Sequence, residues 1–206
     1  MKVMCKVMKY VLATANPGKI AEMREILSEL RIDTFTRTDL GIDLDVEETG
    51  STFFENAKIK AEAICSATGM PAIADDSGIC VDALGGDPGV YSSSYGGAEL
   101  SANERCAFLL HKMENVKQRN AIFVSVIVCM FPDGYQLTAA GECTGTIAEE
   151  AKGTRGFGYD PVFIPDGKDK TMAELTAGEK NALSHRKKAL TEFSKLLKEY
   201  KEGMCI

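Results

Sequence analysis

Apolar residues recur along the chain in two patterns, as short uninterrupted runs and as repeats near the helical period. The first run, Tyr10 to Ala13, predicts a buried strand. A helix is expected next, with Asn16 as its N-cap and Pro17 at its first position, where a missing backbone N–H costs nothing. Its predicted inner face carries apolar residues close to the 3.6-residue period: Ile20, Met23, Leu27 and Leu30.

The middle of the chain alternates between the same two patterns. Helices are predicted from about Thr52 to Thr68 and from about Leu100 to Met113. The segment Ala121 to Phe131 is apolar on both faces and rich in β-branched residues, which predicts a central strand. The turn at Pro132 to Gly134 then predicts a hairpin whose second strand runs from Tyr135 to Ala140.

The C-terminal third predicts a break between two helices. A helix from about Ser184 to Tyr200 has one apolar face. On one continuous helix Lys180 and Arg186 would lie on different faces, and Thr176 with Glu179 forms a capping box that starts a separate helix. Because strands and helices interleave irregularly, we expect an α/β fold with a long mixed sheet flanked by helices, formed by residues 1–206 as one domain.

Two adjacent aspartates, Asp75 and Asp76, follow the apolar run Ala72–Ala74 and precede Ser77 and Gly78. A turn is the simplest interpretation, because Asp, Ser and Gly are common turn residues. The alternative is a pair of carboxylates that holds a cation. Both interpretations place the two aspartates at the end of a buried strand.

The segment TANPGK, Thr14 to Lys19, is a candidate anion site. It joins a strand to a helix N-terminus, where free backbone N–H groups and the helix dipole favour phosphate, and Lys19 adds a positive charge. A plain capped helix start is the alternative, since the pattern G-x-x-x-x-G-K-[ST] is absent.

The acidic segment Asp43 to Gly50 is a solvated loop by default. If it meets Asp75 and Asp76, however, a cation is needed between the carboxylates, and Mg²⁺ prefers one or two carboxylates together with water and substrate phosphates. A phosphate cradle, carboxylates and Mg²⁺ together predict phosphoryl transfer or phosphate hydrolysis.

Two further motifs suggest contacts with a flat ligand. Phe157 and Tyr159 lie among glycines, which let a ligand approach the backbone, and an exposed ring can stack on a nucleobase; rings packed in a core turn are the alternative. His185 and Arg186 fall in the first turn of the last helix, where the dipole disfavours cations. A ligand would explain their presence there.

Composition narrows the range of partners. The chain has 30 acidic and 24 basic side chains and a net charge of -6, which disfavours a broad nucleic-acid surface. Its seven cysteines are scattered without a C-x-x-C pair, so we expect reduced thiols in a reducing compartment rather than a zinc or thioredoxin-type motif. No apolar run approaches the roughly 20 residues of a membrane span. We therefore expect a soluble, cytoplasmic protein without nucleic-acid or membrane partners.

Five segments, in this order, resemble the inosine triphosphate pyrophosphatase family, the Ham1-like group that hydrolyses non-canonical purine nucleoside triphosphates: ATANPGKIAEM, EETGSTFFENAKIKA, AIADDSGICVDALGGDPGVYS, GTRGFGYDPVF and AELTAGEKNALSHRKKAL. The resemblance extends from about Val11 to Leu197 and leaves residues 1–9 as an extension without a counterpart. It implies an elongated α/β fold with a nucleotide cleft between two lobes, Mg²⁺ as cofactor, a purine nucleoside triphosphate as substrate and a homodimer.

The resemblance also implies roles for individual residues. Asp76 matches the catalytic aspartate, which also binds the metal, and Glu47 matches the metal-binding glutamate, with Glu48 as its rival. Ser94 stands where many bacterial relatives have an arginine, which puts any phosphate or dimer contact of that arginine in question. Substrate contacts are implied for Thr14, Ala15, Asn16, Pro17, Gly18, Lys19, Lys60, Ser77, Phe157, Gly158, Tyr159, Asp160, Lys180, His185 and Arg186.

The implied reaction is attack of water on the α-phosphorus, which releases pyrophosphate and leaves the nucleoside monophosphate. Lys19 and Lys60 would neutralise the triphosphate, and Asp76, with an ordinary pKa near ~4, would orient and deprotonate the water. A donor such as Arg186 facing the 6-oxo group of hypoxanthine or xanthine would reject the amino group of adenine.

Two alternatives stay open at this point. One is a Maf-like pyrophosphatase of modified pyrimidine nucleotides, against which the SHR motif and the FGYD loop argue. The other is a nucleotide-sensing module without catalysis, against which the presence of Asp75, Asp76, Glu47 and Lys19 argues.

Overall fold

In the computed structural model, which describes residues 9–204, one mixed six-stranded sheet is covered by helices on both faces. The strands are β1 (Tyr10–Leu12), β2 (Thr34–Thr36), β3 (Ala72–Val81), β4 (Asn120–Met130), β5 (Gln136–Ile147) and β6 (Phe163–Pro165). The helices are α1 (Pro17–Glu29), α2 (Phe53–Thr68), α3 (Ala102–Lys112), α4 (Ala177–Leu183) and α5 (His185–Met204). The predicted α/β class and mixed sheet are confirmed.

The strand order is β2-β1-β3-β4-β5-β6. Strand β1 runs parallel to β2 and β3, whereas β3 through β6 pair antiparallel. Strand β4 pairs with the whole of β3, but β1 pairs only with Ala72 and Ile73. Within the described part of the chain, one edge of β3 therefore has no strand partner from Ala74 to Ile79, before Cys80 bridges Pro88.

The predicted position of Asp75 and Asp76 at a strand end is wrong. Both residues lie inside the ten-residue strand β3 and pair with Ile127 and Val126 of β4. The strand continues because β4 supplies backbone partners through Val81, although Asp, Ser and Gly favour turns locally. Alternation along the strand sends the two aspartate side chains to opposite faces of the sheet.

Each face of the sheet has its own core. Ile73 belongs to the cluster formed with α1 and α5, while its neighbours Ala72 and Ala74 belong to the cluster formed with α2. Asp75 therefore faces α1 and α5, and Asp76 faces α2. A third cluster packs the far end of the sheet against α3, with Ile79, Leu109 and Phe163 among its members.

Most predicted boundaries agree with the structure. Asn16 caps α1, and its Oδ1 accepts hydrogen bonds from the backbone N–H groups of Gly18 and Lys19 at 2.9 and 3.1 Å. The capping box of Thr176 and Glu179 starts α4, which ends before α5 as predicted. Strand β5 is longer than expected and continues to Ile147. Apart from its last residue, the predicted extension lies outside the described part of the chain.

Residues 9–204 contain no helix that is both apolar enough and long enough to cross a membrane. Five of the seven cysteines fall in this part of the chain, all as free thiols: Cys65, Cys80, Cys106, Cys129 and Cys143.

Candidate active site

A cleft of about 500 Å³ lies where the α2-covered part of the sheet meets the cluster around α3. It runs along the open edge of β3, so side chains from both faces of the sheet reach it. Of the predicted site residues, Pro17, Gly18 and Glu47 do not line it. Those that do are Thr14, Ala15, Asn16, Lys19, Lys60, Asp76, Ser77, Phe157, Gly158, Tyr159, Asp160, Lys180, His185 and Arg186.

The predicted phosphate loop forms one end of the cleft. Thr14 follows β1, and its Oγ1 accepts a 3.2 Å hydrogen bond from the backbone N–H of Asn16. Lys19 extends from the first turn of α1 to the open edge of β3, where its Nζ lies 2.9 Å from Asp75 Oδ2. The loop therefore presents a helix N-terminus to the cleft, but its lysine is already paired with a carboxylate.

Asp75 is fully buried and ionised. Burial alone would raise its pKa, but Arg186, Lys19 and a 2.5 Å hydrogen bond from Ser125 Oγ outweigh that effect and hold the pKa well below its ordinary value. Ser77 Oγ adds a further hydrogen bond at 3.1 Å. With its oxygens occupied in this way, Asp75 has the environment of a structural carboxylate.

The same network of ion pairs continues to the aromatic loop that contains Phe157. Arg186 pairs with Glu22 of α1, and Lys180 Nζ lies 3.4 Å from the other oxygen of Glu22 and 2.7 Å from Asp160 Oδ2. Asp160 in turn accepts a 2.8 Å hydrogen bond from the backbone N–H of Phe157. These carboxylates explain why a cation is stable in the first turn of α5, where the dipole disfavours it.

Asp76 has a different environment from its neighbour. Its Oδ1 accepts a 2.7 Å hydrogen bond from Lys60 Nζ, while its Oδ2 is buried without a partner in the described residues. Burial raises the pKa of Asp76 to about 6, although Lys60 opposes the rise. The expected ordinary value near ~4 is therefore wrong, and this carboxyl group titrates close to neutrality.

The acidic segment approaches Asp76 through Glu48. Glu48 Oε1 lies 3.2 Å from the same Lys60 Nζ, and Glu48 lines the cleft, whereas Glu47 is exposed and does not. Within residues 9–204 no group of three or more His, Cys, Asp or Glu side chains is arranged to hold a metal. The carboxylates of Asp76, with its unpartnered Oδ2, and of Glu48 fit a cation that takes its remaining ligands from water and phosphate.

The two rings of the FGYD loop have different surroundings. Tyr159 is buried, and its Oη donates a 2.9 Å hydrogen bond to the backbone oxygen of Ser92. Phe157 is half-buried and lines the cleft, with Lys180 Nζ 4.9 Å and Arg186 Cζ 5.5 Å from its ring centre. A Cβ on Gly18 would lie 2.7 Å from this ring, so the phosphate loop and the aromatic loop are in contact. Phe157 is the ring available for stacking on a base.

His185 is buried beside this loop and is neutral. Burial lowers the pKa of its imidazole well below the ordinary value, and the adjacent Arg186 lowers it further. The ring stacks on Phe123 with a centroid distance of 4.8 Å, and its Nδ1 is buried without a partner in the described residues. A neutral imidazole can donate or accept one hydrogen bond to a ligand.

The sequence motifs did not identify Glu22, Arg37 and Arg105. Glu22 is a charged residue on the otherwise apolar inner face of α1, and its position there was an available signal. Arg37 directly follows β2, and residues after parallel strands collect at one edge of a sheet. Arg105 lies inside α3 and gave no sequence signal that we can name.

Comparison with known proteins gives consistent results. The model of the Ham1 family matches residues 10–196. The dITP/XTP pyrophosphatase of Bacillus subtilis strain 168 is 46% identical over 189 residues, which cover 91% of this chain and 96% of that protein. A dITP/XTP pyrophosphatase of Thermus thermophilus is 46% identical over 202 residues, covering 97% and 95%.

Solved structures agree with these sequence relatives. The HAM1 protein of Coxiella burnetii superimposes with a TM-score of 0.85 at 43% identity. The Staphylococcus aureus Ham1 protein does so with a TM-score of 0.83 at 41% identity. Each comparison covers 93% of this chain and 99% of the other.

Proposed function

Since the chain belongs to the Ham1 family, we propose that it hydrolyses dITP and XTP to the nucleoside monophosphate and pyrophosphate, the activity for which its bacterial relatives are named. The resemblance stated from five sequence segments is confirmed for the family, the fold and the class of enzyme. The single structural observation that carries the proposal is Asp76, whose buried and unpartnered Oδ2 lies in a cleft between a phosphate loop and a half-buried aromatic ring.

Two adjacent parts of the cleft, the phosphate loop and the aromatic loop, match the two parts of a nucleotide. The N-terminus of α1 with Lys19 receives the phosphates, as helix N-termini favour anions. Phe157 stacks on the base; Arg186 is a donor for the edge of the base, and the neutral His185 is a donor or an acceptor for it. A protein donor at this position can bond the 6-oxo group of hypoxanthine or xanthine. It would face the 6-amino group of adenine, which is also a donor, and this disfavours ATP.

We propose Mg²⁺ as the cofactor, held by Asp76 with one glutamate of the acidic segment. Glu47 was the residue implied by resemblance, and the contact of Glu48 with Lys60 supports Glu48 as that ligand. When bound, the cation supplies charge that neutralises phosphate oxygens and polarises water. Lys60 contacts both Asp76 and Glu48, so it holds these two carboxylates near each other when no cation is bound.

Asp76 is the base in this proposal. Without the cation the pKa of Asp76 is about 6, and a bound cation would lower it, so the carboxylate would be ionised at neutral pH. Lys60 holds Oδ1 at 2.7 Å, which leaves Oδ2 to face the cation and the water that the cation would polarise. Asp75 takes no proton. Burial alone would raise its pKa, but Arg186 and Lys19 outweigh that effect and hold the pKa well below its ordinary value.

We also propose that the protein acts as a homodimer in the cytoplasm, an expectation that rests on the family resemblance. Light scattering after size-exclusion chromatography measures the mass directly. A monomer at micromolar concentration would refute this part without affecting the proposed reaction.

The decisive experiment follows products from dITP, XTP, GTP and ATP in parallel, with Mg²⁺ and with EDTA. We expect monophosphate and pyrophosphate from dITP and XTP, much slower reaction with GTP and ATP, and no reaction in EDTA. Equal rates on all four substrates would contradict the base assignment. Release of orthophosphate and a diphosphate would contradict the site of attack, and binding without hydrolysis would favour the nucleotide-sensing alternative.

A further inference from the structure

Two arginines that line the cleft differ from its other cations. Lys19, Lys60, Lys180 and Arg186 each lie within 3.3 Å of a carboxylate. Arg37 and Arg105 have no ion pair to any residue in the 9–204 range. Both also have a buried Nε for which the described residues provide no hydrogen-bond acceptor. Their positive charge is therefore available to a ligand.

The paired cations offer little net charge to a substrate. The buried network joins the cations of Lys19, Lys180 and Arg186 to the carboxylates of Glu22, Asp75 and Asp160, three of each sign. A triphosphate tail that enters the cleft brings several negative charges, and charges need partners when they leave water. The neutral network cannot supply that compensation alone.

Arg37 lies at the phosphate end of the cleft. It directly follows β2, whose last residue Thr36 pairs with Leu12 of β1, and β1 leads into the phosphate loop at the same edge of the sheet. Its Nη2 donates to the backbone oxygen of Leu44 in the acidic segment. The guanidinium thus contacts the segment that is proposed to hold the cation, and it lines the same cleft as the phosphate loop.

Arg105 approaches the cleft from α3. Its Nη2 donates to the backbone oxygens of Gly97 and Leu100 at 3.2 and 2.8 Å, and it lines the cleft together with Ser93. Ser94 is exposed and does not line the cleft. Arg105 therefore supplies a guanidinium on the side of the cleft that α3 covers.

A purely structural arginine in this protein looks different. Arg119 also contacts only backbone carbonyls, but its Nε, Nη1 and Nη2 all donate, to Ile147, Met113 and Ala148 at 2.7, 2.9 and 2.7 Å. It does not line the cleft. Arg37 and Arg105 hold their loops with Nη2 alone and leave Nε without a partner.

We propose that Arg37 and Arg105 bind the phosphate oxygens of the nucleotide's triphosphate tail. The inference rests on the proposed function, because it assigns the substrate's anionic part to these residues. Guanidinium groups match phosphate geometry with two parallel hydrogen bonds and keep their charge at any physiological pH. The two arginines add positive charge to that of the proposed cation and of the N-terminus of α1, where the neutral network adds none.

The test measures binding rather than turnover, with inorganic tripolyphosphate and inosine as separate probes. Calorimetry in Mg²⁺ gives the affinity for tripolyphosphate of the wild type, Arg37→Gln, Arg105→Gln and a control, Arg24→Gln. Arg24 is an exposed arginine paired with Asp39 outside the cleft, so the control removes the same charge. We expect each cleft variant to weaken tripolyphosphate binding roughly tenfold or more, because hydrogen bonds between charged groups are the strong ones. Inosine binding, followed by NMR, stays unchanged.

Two results overturn the proposal. In the first, the cleft variants weaken tripolyphosphate binding no more than Arg24→Gln does. In the second, the affinities for tripolyphosphate and for inosine fall together and thermal stability also falls. That result would mean that the arginines only hold their loops. Arg37→Lys and Arg105→Lys keep the charge and should recover part of the affinity, and they carry the test if a glutamine variant does not fold. A wild type that binds tripolyphosphate but hydrolyses no nucleotide refutes the proposed function alone.

Discussion

Asp75 and Arg186 lie 111 positions apart in the chain, and their side chains meet at 3.3 Å behind the cleft. The next residue, Asp76, points to the other face of β3 and contacts Lys60 instead. Two adjacent carboxylates therefore differ in pKa and in the hydrogen bonds that their oxygens accept. Asp75 is ionised and enclosed by donors, while the pKa of Asp76 is raised to about 6 by burial and one of its oxygens is unpartnered. This difference in environment supports the proposal that Asp76 is the base and that Asp75 has a structural role.

Replacing Asp76 with asparagine should remove catalysis and keep binding. We expect kcat for dITP to fall about 100- to 10,000-fold, the range typical of a lost general base, with the nucleotide Kd within a few-fold of wild type. Steady-state kinetics and calorimetry measure the two quantities. Asp82→Asn is the matched control, because Asp82 is exposed and does not line the cleft. Near-normal turnover of Asp76→Asn would exclude Asp76 as the base.

Replacing Asp75 with asparagine should instead destabilise the fold. The change leaves Arg186 and Lys19 with one carboxylate fewer in a buried network, and loss of one partner of such a pair costs about 3–5 kcal/mol. Urea denaturation measures the free energy of unfolding. Glu62→Gln removes an exposed carboxylate 3.7 Å from Lys58 and should leave that free energy nearly unchanged. Equal effects of the two variants would contradict the structural role of Asp75.

The acidic segment offers a choice between two adjacent glutamates as metal ligand. Glu48 lines the cleft and contacts Lys60, so Glu48→Gln should raise the Mg²⁺ concentration for half-maximal activity roughly tenfold or more, as expected when a charged ligand is lost. Glu47→Gln is the control and should change it little, because Glu47 does not line the cleft. Mg²⁺ titrations of both variants at saturating dITP decide the assignment. A larger shift for Glu47→Gln would restore the residue first implied by the resemblance.

Gly18 tests the contact between the phosphate loop and the aromatic loop. An alanine Cβ at this position would lie 2.7 Å from the ring of Phe157, so Gly18→Ala must displace the ring or strain α1. Overpacking of this kind costs about 1–3 kcal/mol, and we expect kcat/KM for dITP to fall in proportion, mostly through KM. Gly178→Ala is the matched control, since a Cβ there meets nothing within 4 Å. Unchanged kinetics for Gly18→Ala would mean that the ring is free to move.

His185 should make stability depend on pH in a defined direction. Burial, followed by Arg186, lowers its folded-state pKa well below the unfolded value near ~6.5, so the unfolded chain binds a proton that the folded protein does not. The stabilisation is present above that unfolded pKa and is lost as the pH falls below it, by at most about 1.4 kcal/mol per pH unit. Asp76, with a raised pKa, contributes with the opposite sign and is common to all variants.

The measurement compares urea denaturation of the wild type and His185→Gln between pH 7 and pH 5. The stability difference between them should become smaller or reverse toward pH 5. His111→Gln is the control, because His111 is the only other histidine in the chain and is exposed. A difference that does not change with pH would show that His185 is charged, or free to charge, in the folded protein.

The sequence predicted elements and motifs better than it predicted pairing. Period and capping signals were sufficient for α1 and for the break before α5, because Asn16 and Thr176 act on their own helices. Asp75 and Asp76 were expected at a strand end because local turn preference was the only signal, and β4, some fifty residues later, determines that the strand continues. Likewise, Glu22 pairs with Lys180 and Arg186 across more than 150 positions, a relationship that no local pattern contains.

The buried network also constrains how the polypeptide can be completed during synthesis. Within the described residues, the only cations that Glu22 contacts are Lys180 and Arg186, contributed by α4 and α5 at the end of the chain. When the sheet has emerged from the ribosome but α4 and α5 have not, the carboxylate of Glu22 on α1 has neither of these cations as a partner. The interior of the cleft is therefore completed only after α4 and α5 have been synthesised.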